Sequence, residues 1–335
     1  MSLPPVEIPL GAMRFNSDLQ KLEYWNGSAW FRIHTFSSNL NGGTRGLFMG
    51  GDPGSNQGRT IDYVTIPTAG NATDFGDMTE DRKYCSSFSS NTRGVVAGGE
   101  NPSGKHDEIE FVTISSTGNV TDFGNLLAAR TYVSCAGNQT RGIIAGGYTG
   151  SADYDNVIQF VTIASTGNSV NFGDLTQNNS NQGGTANPIR AIFAGGADWP
   201  TMRQSIDFVT IATEGNAQDF GDMYTGAGYN NGATSSTRAV YAGSSAAPYK
   251  YMEYITMATG GNSTFFGELE NANGWRIGTS DTIRGVFAGG QSPATTNTIE
   301  YIAIATLGDA VDFGDSTTQF HRSGGACSNR HGGLG

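Results

Sequence analysis

Short apolar runs of four to eight residues recur along this chain, each cut off by glycine or asparagine. One period shows the grammar. Tyr132 to Ala136 reads as a strand and Asn138-Gln139-Thr140 as a turn. Arg141 to Gly147 reads as a second strand ended by a glycine pair, and a variable stretch follows from Tyr148 to Asn156. Val157 to Ala164 is a third strand, Ser165-Thr166-Gly167-Asn168 a turn, and Ser169 to Gly173 a fourth strand. The runs are rich in Val, Ile, Thr, Tyr and Phe, which suit a pleated surface, and the Gly-Asn turns tolerate positive φ. Third strands such as Ile61-Asp62-Tyr63-Val64-Thr65-Ile66 are apolar on both faces. That pattern fits a sheet packed between two others, since a two-layer sandwich with a solvated face alternates more strictly.

The period occurs six times. Its arginines are Arg45, Arg93, Arg141, Arg190, Arg238 and Arg284, at steps of 48, 48, 49, 48 and 46 residues. Its Asp-Phe-Gly element places Phe75, Phe123, Phe172, Phe220, Phe266 and Phe313. A fixed period near 50 residues, built of short strands and glycine turns, predicts one propeller blade per repeat. The fold expected is all-β, a six-bladed propeller over residues 35–335. The first period has a poor leading strand around Phe36 to Asn41, and the last is followed by a complete one at Arg322 to Asn329. The C-terminal strand is therefore expected to complete the first blade, pairing both free edges.

Residues 1–34 stand outside the repeat. Between Gly11 and Ile33, apolar alternation at Met13/Phe15 and Leu22/Tyr24 and an Asn26-Gly27 turn predict a three-stranded β-meander. Such a sheet is too small to be stable alone and must dock. Phe15, Tyr24, Trp25 and Trp30 are its candidate docking residues.

Charge narrows the partners. The formal net charge is −11, which argues against nucleic acid and against a polybasic membrane contact. No run of about 18 apolar residues is present, so no membrane insertion is expected. The first ten residues lack a basic, then apolar, leader, which predicts synthesis in a cytoplasm and not signal-peptide secretion. Cys85, Cys135 and Cys327 share one part of their repeats and read as buried core thiols.

Catalytic constellations do not emerge. His34, His106, His321 and His331 share no spacing, and no metalloprotease, paired-cysteine, nucleophile-elbow or phosphate-loop motif occurs. No enzyme activity, cofactor or metal is expected. Asp74, Asp77, Asp122, Asp219, Asp222, Asp312 and Asp315 read as turn caps, because Ca²⁺ needs six to eight converging oxygens. The six period arginines read as braces between neighbouring blades, ahead of an anion channel lined by guanidinium groups. Asn-x-Ser/Thr triplets such as Asn71-Ala72-Thr73 are the repeated turn itself.

Successive connections of an up-and-down sheet alternate between its two ends. The turns joining strands one to two and three to four are monotonous in sequence, whereas the other connections are individual. Loops on a rigid scaffold are the usual place for recognition. The candidate binding residues on the individual side are His106, Tyr148, Trp199, Tyr224, Tyr229, Tyr249, Tyr251 and Trp275. Trp and Tyr with Asn, Asp and Gly nearby suit a sugar or protein surface.

The glycine pairs Gly98-Gly99, Gly146-Gly147, Gly195-Gly196 and Gly289-Gly290, with Arg82, Arg130, Arg276 and Arg322 leading into following strands, resemble kelch repeats. Phe stands in Asp-Phe-Gly where kelch usually has Trp, and the fifth repeat has Gly243-Ser244. The unit Thr-Arg-Gly-Val-Phe-Ala-Gly-Gly with its Asp-Phe-Gly-Asp ending is similar to kelch-like propellers in virion proteins of tailed bacteriophages, notably those of marine cyanobacteria. The segment from Gly11 to Trp30 is similar to small β-modules of phage fibre proteins. The resemblance implies a non-enzymatic virion structural protein, a tail fibre or host-attachment component present in several copies. Its implied partners are other virion proteins and a host surface glycan or protein. Capsid or tail decoration with virion contacts only, and a free propeller lectin, are the alternative readings.

Overall fold

Apolar runs and glycine turns fold into strands close to where the pattern puts them. The computed structural model of the chain describes residues 8–16, 21–32, 44–51, 58–150, 154–225, 228, 231–244, 247–291, 295–317 and 324–334. Two compact units are present, Met1–Gly43 and Thr44–Gly335. The sequence pattern set the boundary at 34/35; residues 33–43 lie outside the described ones.

The first unit is a three-stranded antiparallel sheet of Met13–Asn16, Lys21–Trp25 and Trp30–Arg32. Trp25 pairs with Trp30, so the second connection has four residues and is not a two-residue Asn-Gly turn. The Asn26 Oδ1 accepts the Ser28 and Ala29 N–H groups, and Gly27 supplies a φ of +99°. One face exposes Met13, Phe15, Tyr24 and Phe31. The other carries a buried Glu23 paired with Arg14 at 2.9 Å, and Arg14 lies 4.2 Å from the Trp30 ring centroid. Trp25 and Trp30 are half-buried on that second face.

The second unit contains, among the described residues, six four-stranded antiparallel sheets. The second sheet is Ser86–Ser89, Arg93–Ala97, Glu108–Thr113 and Thr121–Asn125. The third is Ser134–Gly137, Arg141–Ala145, Val157–Thr162 and Val170–Asp174. The fourth is Gly183–Ala186, Arg190–Ala194, Ser205–Thr210 and Gln218–Asp222. The fifth is Asn231–Thr234, Arg238–Ala242, Tyr251–Thr256 and Thr264–Glu268. The sixth is Ile277–Ser280, Arg284–Ala288, Thr298–Ala303 and Val311–Asp315. The first takes Arg45–Met49, Thr60–Thr65 and Thr73–Asp77 from the start of the unit and Gly325–Ser328 from its end, with Cys327 opposite Leu47. The expected leading strand at Phe36 to Asn41, and Arg322, lie outside the described residues.

Each sheet is built around one stack. The Phe of Asp-Phe-Gly is buried and meets the aromatic ring of the third strand edge-on, at 5.8–6.0 Å between centroids. The period arginine covers that ring from the second strand, its guanidinium carbon 4.4–4.8 Å from the centroid. The same guanidinium donates to a carbonyl at the end of the next sheet's third strand, at 2.8–3.1 Å. Arg45 reaches Ile114, Arg93 reaches Ile163, and Arg284 of the sixth sheet reaches Ile66 of the first. The arginines are therefore braces between sheets.

Two further series cross every junction. The backbone N–H at the end of each outer strand donates to the turn side chain of the next sheet, from Asp77 to Asn119 through Asp315 to Asn71. The caps are thus Asn71, Asn119, Asn168, Asn216, Asn262 and Asp309. Asp74, Asp122, Asp219 and Asp312, expected as caps, are instead exposed residues within the outer strand, and Asp77, Asp222 and Asp315 take part through the backbone N–H and not as caps. The second series is a buried polar residue in each third strand: Asp62, Glu110, Gln159, Asp207, Glu253 and Glu300. Each accepts from the segment that leaves the preceding sheet. Thr176 donates twice to Asp207, Leu127 N–H donates to Gln159, and Thr317 donates to Asp62.

The apolar cores lie between sheets, not within them. One joins Phe88, Val95 and Phe123 of the second sheet to Val133, Ile144 and Val161 around the third. The others join the third to the fourth, the fourth to the fifth, the fifth to the sixth, the sixth to the first and the first to the second. The leading strands of the sheets touch in the same cyclic order.

The arginines before the leading strands differ from the repeat reading. Arg82 and Arg130 occupy one register, each donating to the first carbonyl of a glycine pair, and Asn179 takes that role in the fourth sheet. Arg276 sits three residues later in its repeat and reaches Glu300 at 2.8 Å from there. Trp275 and Gly274 precede it where the other repeats have Tyr84 and Lys83, so the sequence similarity at Arg276 is a coincidence of spacing.

Candidate functional site

Every leading strand of the second unit runs from the individual connections toward the monotonous ones. The individual connections therefore gather at one end of the sheets. There the glycine pair after the second strand adopts φ near +62 to +67° and then +102 to +111° in five of the sheets. That double left-handed step turns the chain back toward the leading strand. The residue after the pair bridges back: Glu100 to Lys83, Tyr148 to Thr131, Ala197 to Ser180 and Gln291 to Gly274. The connections expected as loops are thus partly small hairpins, Glu100–Asn101 with Gly104–Lys105 and Ala197–Asp198 with Thr201–Met202.

Trp199 is at the tip of the second hairpin, 59% exposed, with a cis bond to Pro200. Arg203 and Asp198 close its base at 2.6 Å. Tyr148 is half-buried, its ring 5.3 Å from that of Tyr154 and capped by the Lys105 ammonium at 4.8 Å. Tyr154 lies near Asp198 as well. Burial first, then the neighbouring Tyr148 and Asp198, pushes its phenol pKa up. Lys105, Tyr148, Tyr154 and Asp198 thus link three sheets in one strip. His106 is half-buried with Nδ1 2.9 Å from Glu108 and Nε2 3.8 Å from Glu80. Tyr224 is 68% exposed, while Tyr249 and Tyr251 are half-buried. Tyr229 lies outside the described residues.

Trp275 belongs to a different feature. It is half-buried at φ +66°, and Tyr84, Tyr132 and Asn181 hold the same position and the same left-handed conformation in other sheets, at +57°, +60° and +55°. The Tyr84 ring stands 4.1 Å from that of Tyr132 and 6.3 Å from that of Trp275. The Tyr132 N–H donates to Tyr84 O, and the Asn181 N–H to Tyr132 O. Non-glycine residues at positive φ store strain, which only a well-determined surrounding holds in place. Sequence reasoning missed Tyr84, Tyr132, Tyr154 and Lys105. The shared position of Tyr84, Tyr132 and Trp275 two residues before their leading strands was the available signal.

The leading strands of all six sheets line a cavity of about 50 Å³, with Ser87, Cys135, Thr185, Gly232, Thr279 and Cys327 among its walls. At its far end the chain crosses after Ser328. His331 Nε2 donates to Ser89 O at 3.2 Å, and Gly332 N–H donates to Thr234 Oγ1 at 3.1 Å. Burial raises the Cys135 and Cys327 thiols to about 12, so both stay protonated and unreactive at neutral pH. Cys85 is likewise free and buried. Among the described residues no group of three His, Cys, Asp or Glu side chains could hold a metal ion, and no helix is long and apolar enough to cross a membrane. Searches with family models and against curated proteins found no match to this chain.

Proposed function

We propose that the six sheets are the blades of a closed kelch-like β-propeller, and that the chain is a non-enzymatic virion structural protein of a tailed bacteriophage. In this reading it is a tail-fibre or host-attachment component that recognises its target with the end bearing the individual connections. The observation that carries the reading is the contrast between the two ends. One is made of near-identical turns, each supplying the same Asn or Asp cap, while the other displays unlike connections with Trp199 and Tyr224 exposed. A scaffold braced identically at each junction leaves those connections free to differ. Closure is supported by the cyclic order of cores and braces, in which the sixth sheet meets the first. The virion assignment rests on the resemblance of the repeat and of the N-terminal segment. The exposed Phe15 and Tyr24, with Trp25 and Trp30 on the opposite face, then serve docking to the particle.

Competition of the purified chain with particles for host cells tests the proposal. The wild-type chain is expected to reduce adsorption. A variant with Trp199→Ala, Tyr148→Ala and Tyr249→Ala is expected to compete at least about tenfold less well, at an unchanged melting temperature. Absence of competition by the wild-type chain would favour decoration of the particle instead.

A further inference from the structure

Comparison of the six sheets with one another isolates a single place where three neighbouring positions change character together. The third strand begins with Thr60, Glu108, Val157, Ser205 and Thr298 in five sheets and with Tyr251 in the fifth. The residue before the buried Phe is Asp74, Asp122, Asn171, Asp219 or Asp312, but Phe265 in the fifth sheet. Two residues beyond the outer strand stand Thr79, Leu127, Thr176, Glu270 and Thr317, but Tyr224 where the chain leaves the fourth sheet for the fifth.

These three meet. The rings of Tyr251 and Phe265 are 5.2 Å apart at 74°. The Tyr224 N–H donates to Glu253 Oε2 at 2.9 Å and to Ser263 Oγ at 2.7 Å. Glu253 is the cross-strand partner of Phe265, and Ser263 lies two residues before it. Tyr224 is 68% exposed and Phe265 44%. The fold does not call for these rings, since five other sheets form the same strands without them. An aromatic cluster kept in water against the repeat pattern marks a contact surface.

Its chemistry points to a sugar. The three residues offer flat apolar rings, two of them phenols with a hydroxyl to donate or accept, and Glu268 is the strand partner of Tyr251. A pyranose presents the complement, a C–H face rimmed with hydroxyl groups. The acidic chain, at −11, disfavours a carboxylated or sulfated glycan. The rings are confined to the junction of the fourth and fifth sheets, whereas a stable protein interface needs roughly 800 Å² per partner. We infer that Tyr224, Tyr251 and Phe265 form a binding site for a neutral pyranose unit of a glycan. This deepens the recognition reading above and rests on it.

Reversion to the repeat tests the site. Y224T, Y251T and F265D restore residues that the other sheets already tolerate, and F265D alone guards against a triple variant that does not fold. Binding is read by saturation-transfer NMR with the methyl glycosides of glucose, galactose and N-acetylglucosamine. The folded wild-type chain is expected to bind at least one of them, the reverted chains about tenfold or more weakly (about 1.4 kcal/mol), and a chain with Ile189→Thr, an exposed residue of a monotonous turn, as well as the wild type. Sugar binding that survives reversion, or no binding of any of the three glycosides, overturns the site. If Trp199→Ala abolishes sugar binding while the reverted chains keep it and still compete for adsorption, this site falls while the recognition reading stands. Failure of that reading has its own signature, loss of adsorption competition by the wild-type chain.

Discussion

His331 is neutral by construction. Its Nδ1 accepts the Gly333 N–H at 3.1 Å, so the ring proton sits on Nε2 and points at Ser89 O. Protonating Nδ1 would set two donors face to face, and burial lowers the pKa to about 4 from the usual 6.5. The unfolded chain takes up a proton below pH 6.5 that the native chain refuses until about pH 4. The stability from this group is therefore complete above 6.5 and falls as pH drops through that window, by up to about 3 kcal/mol. Urea unfolding at steps between pH 7 and 4.5 should show this decline. His331→Gln should be less stable at pH 7 but lose less on acidification, and parallel curves for the two chains would remove His331 from the account. The sequence offered His331 only as one of four unrelated histidines. That its ring would cross to the second sheet depends on contacts more than two hundred residues apart, which no local pattern reports. The cysteines were easier, because their common position beside apolar neighbours already implied burial.

At the scale of the element, Asp-Phe-Gly was legible as part of a strand, but the reason for its glycine was not. Gly124 has φ +145°, and a Cβ there would lie 2.4 Å from the carbonyl oxygen of Gly167 in the next sheet. Gly167 has a similar φ of +158° but open space around the same position. Alanine at either site meets backbone strain of about 1–2 kcal/mol, while at Gly124 the overlap adds about 1–3 kcal/mol more. Gly124→Ala is thus expected to lower the unfolding free energy measurably further than Gly167→Ala, at equal denaturant slopes. Equal losses would mean that the neighbouring turn gives way and that close approach is not what selects glycine. The third-strand acid shows the same limit. Its position in the repeat was plain, yet its service to the exit of the preceding sheet appears only when Glu110, Asp207 and Glu253 are seen facing that exit.

For the whole molecule, the C-terminal strand is the decisive element. Removing residues 324–335 leaves Arg45–Met49 without its Gly325–Ser328 partner and uncovers the core shared by Cys327, Leu47 and Cys85. The truncated chain is expected to melt at least about 10 °C lower, with a tendency to associate through the bare edge. Melting at the temperature of the full chain would show that the last strand closes nothing. The six periods, their strands, their glycine turns and the loan of the C-terminal strand were all present in the sequence, because alternation and turn chemistry act over a few residues and repetition amplifies them. Tertiary structure decided the rest. Which arginine braces which carbonyl, why Arg276 is out of register, and which aromatic rings meet at the fifth sheet are set by side chains from different repeats converging in space. Sequence spacing alone carries no measure of that convergence.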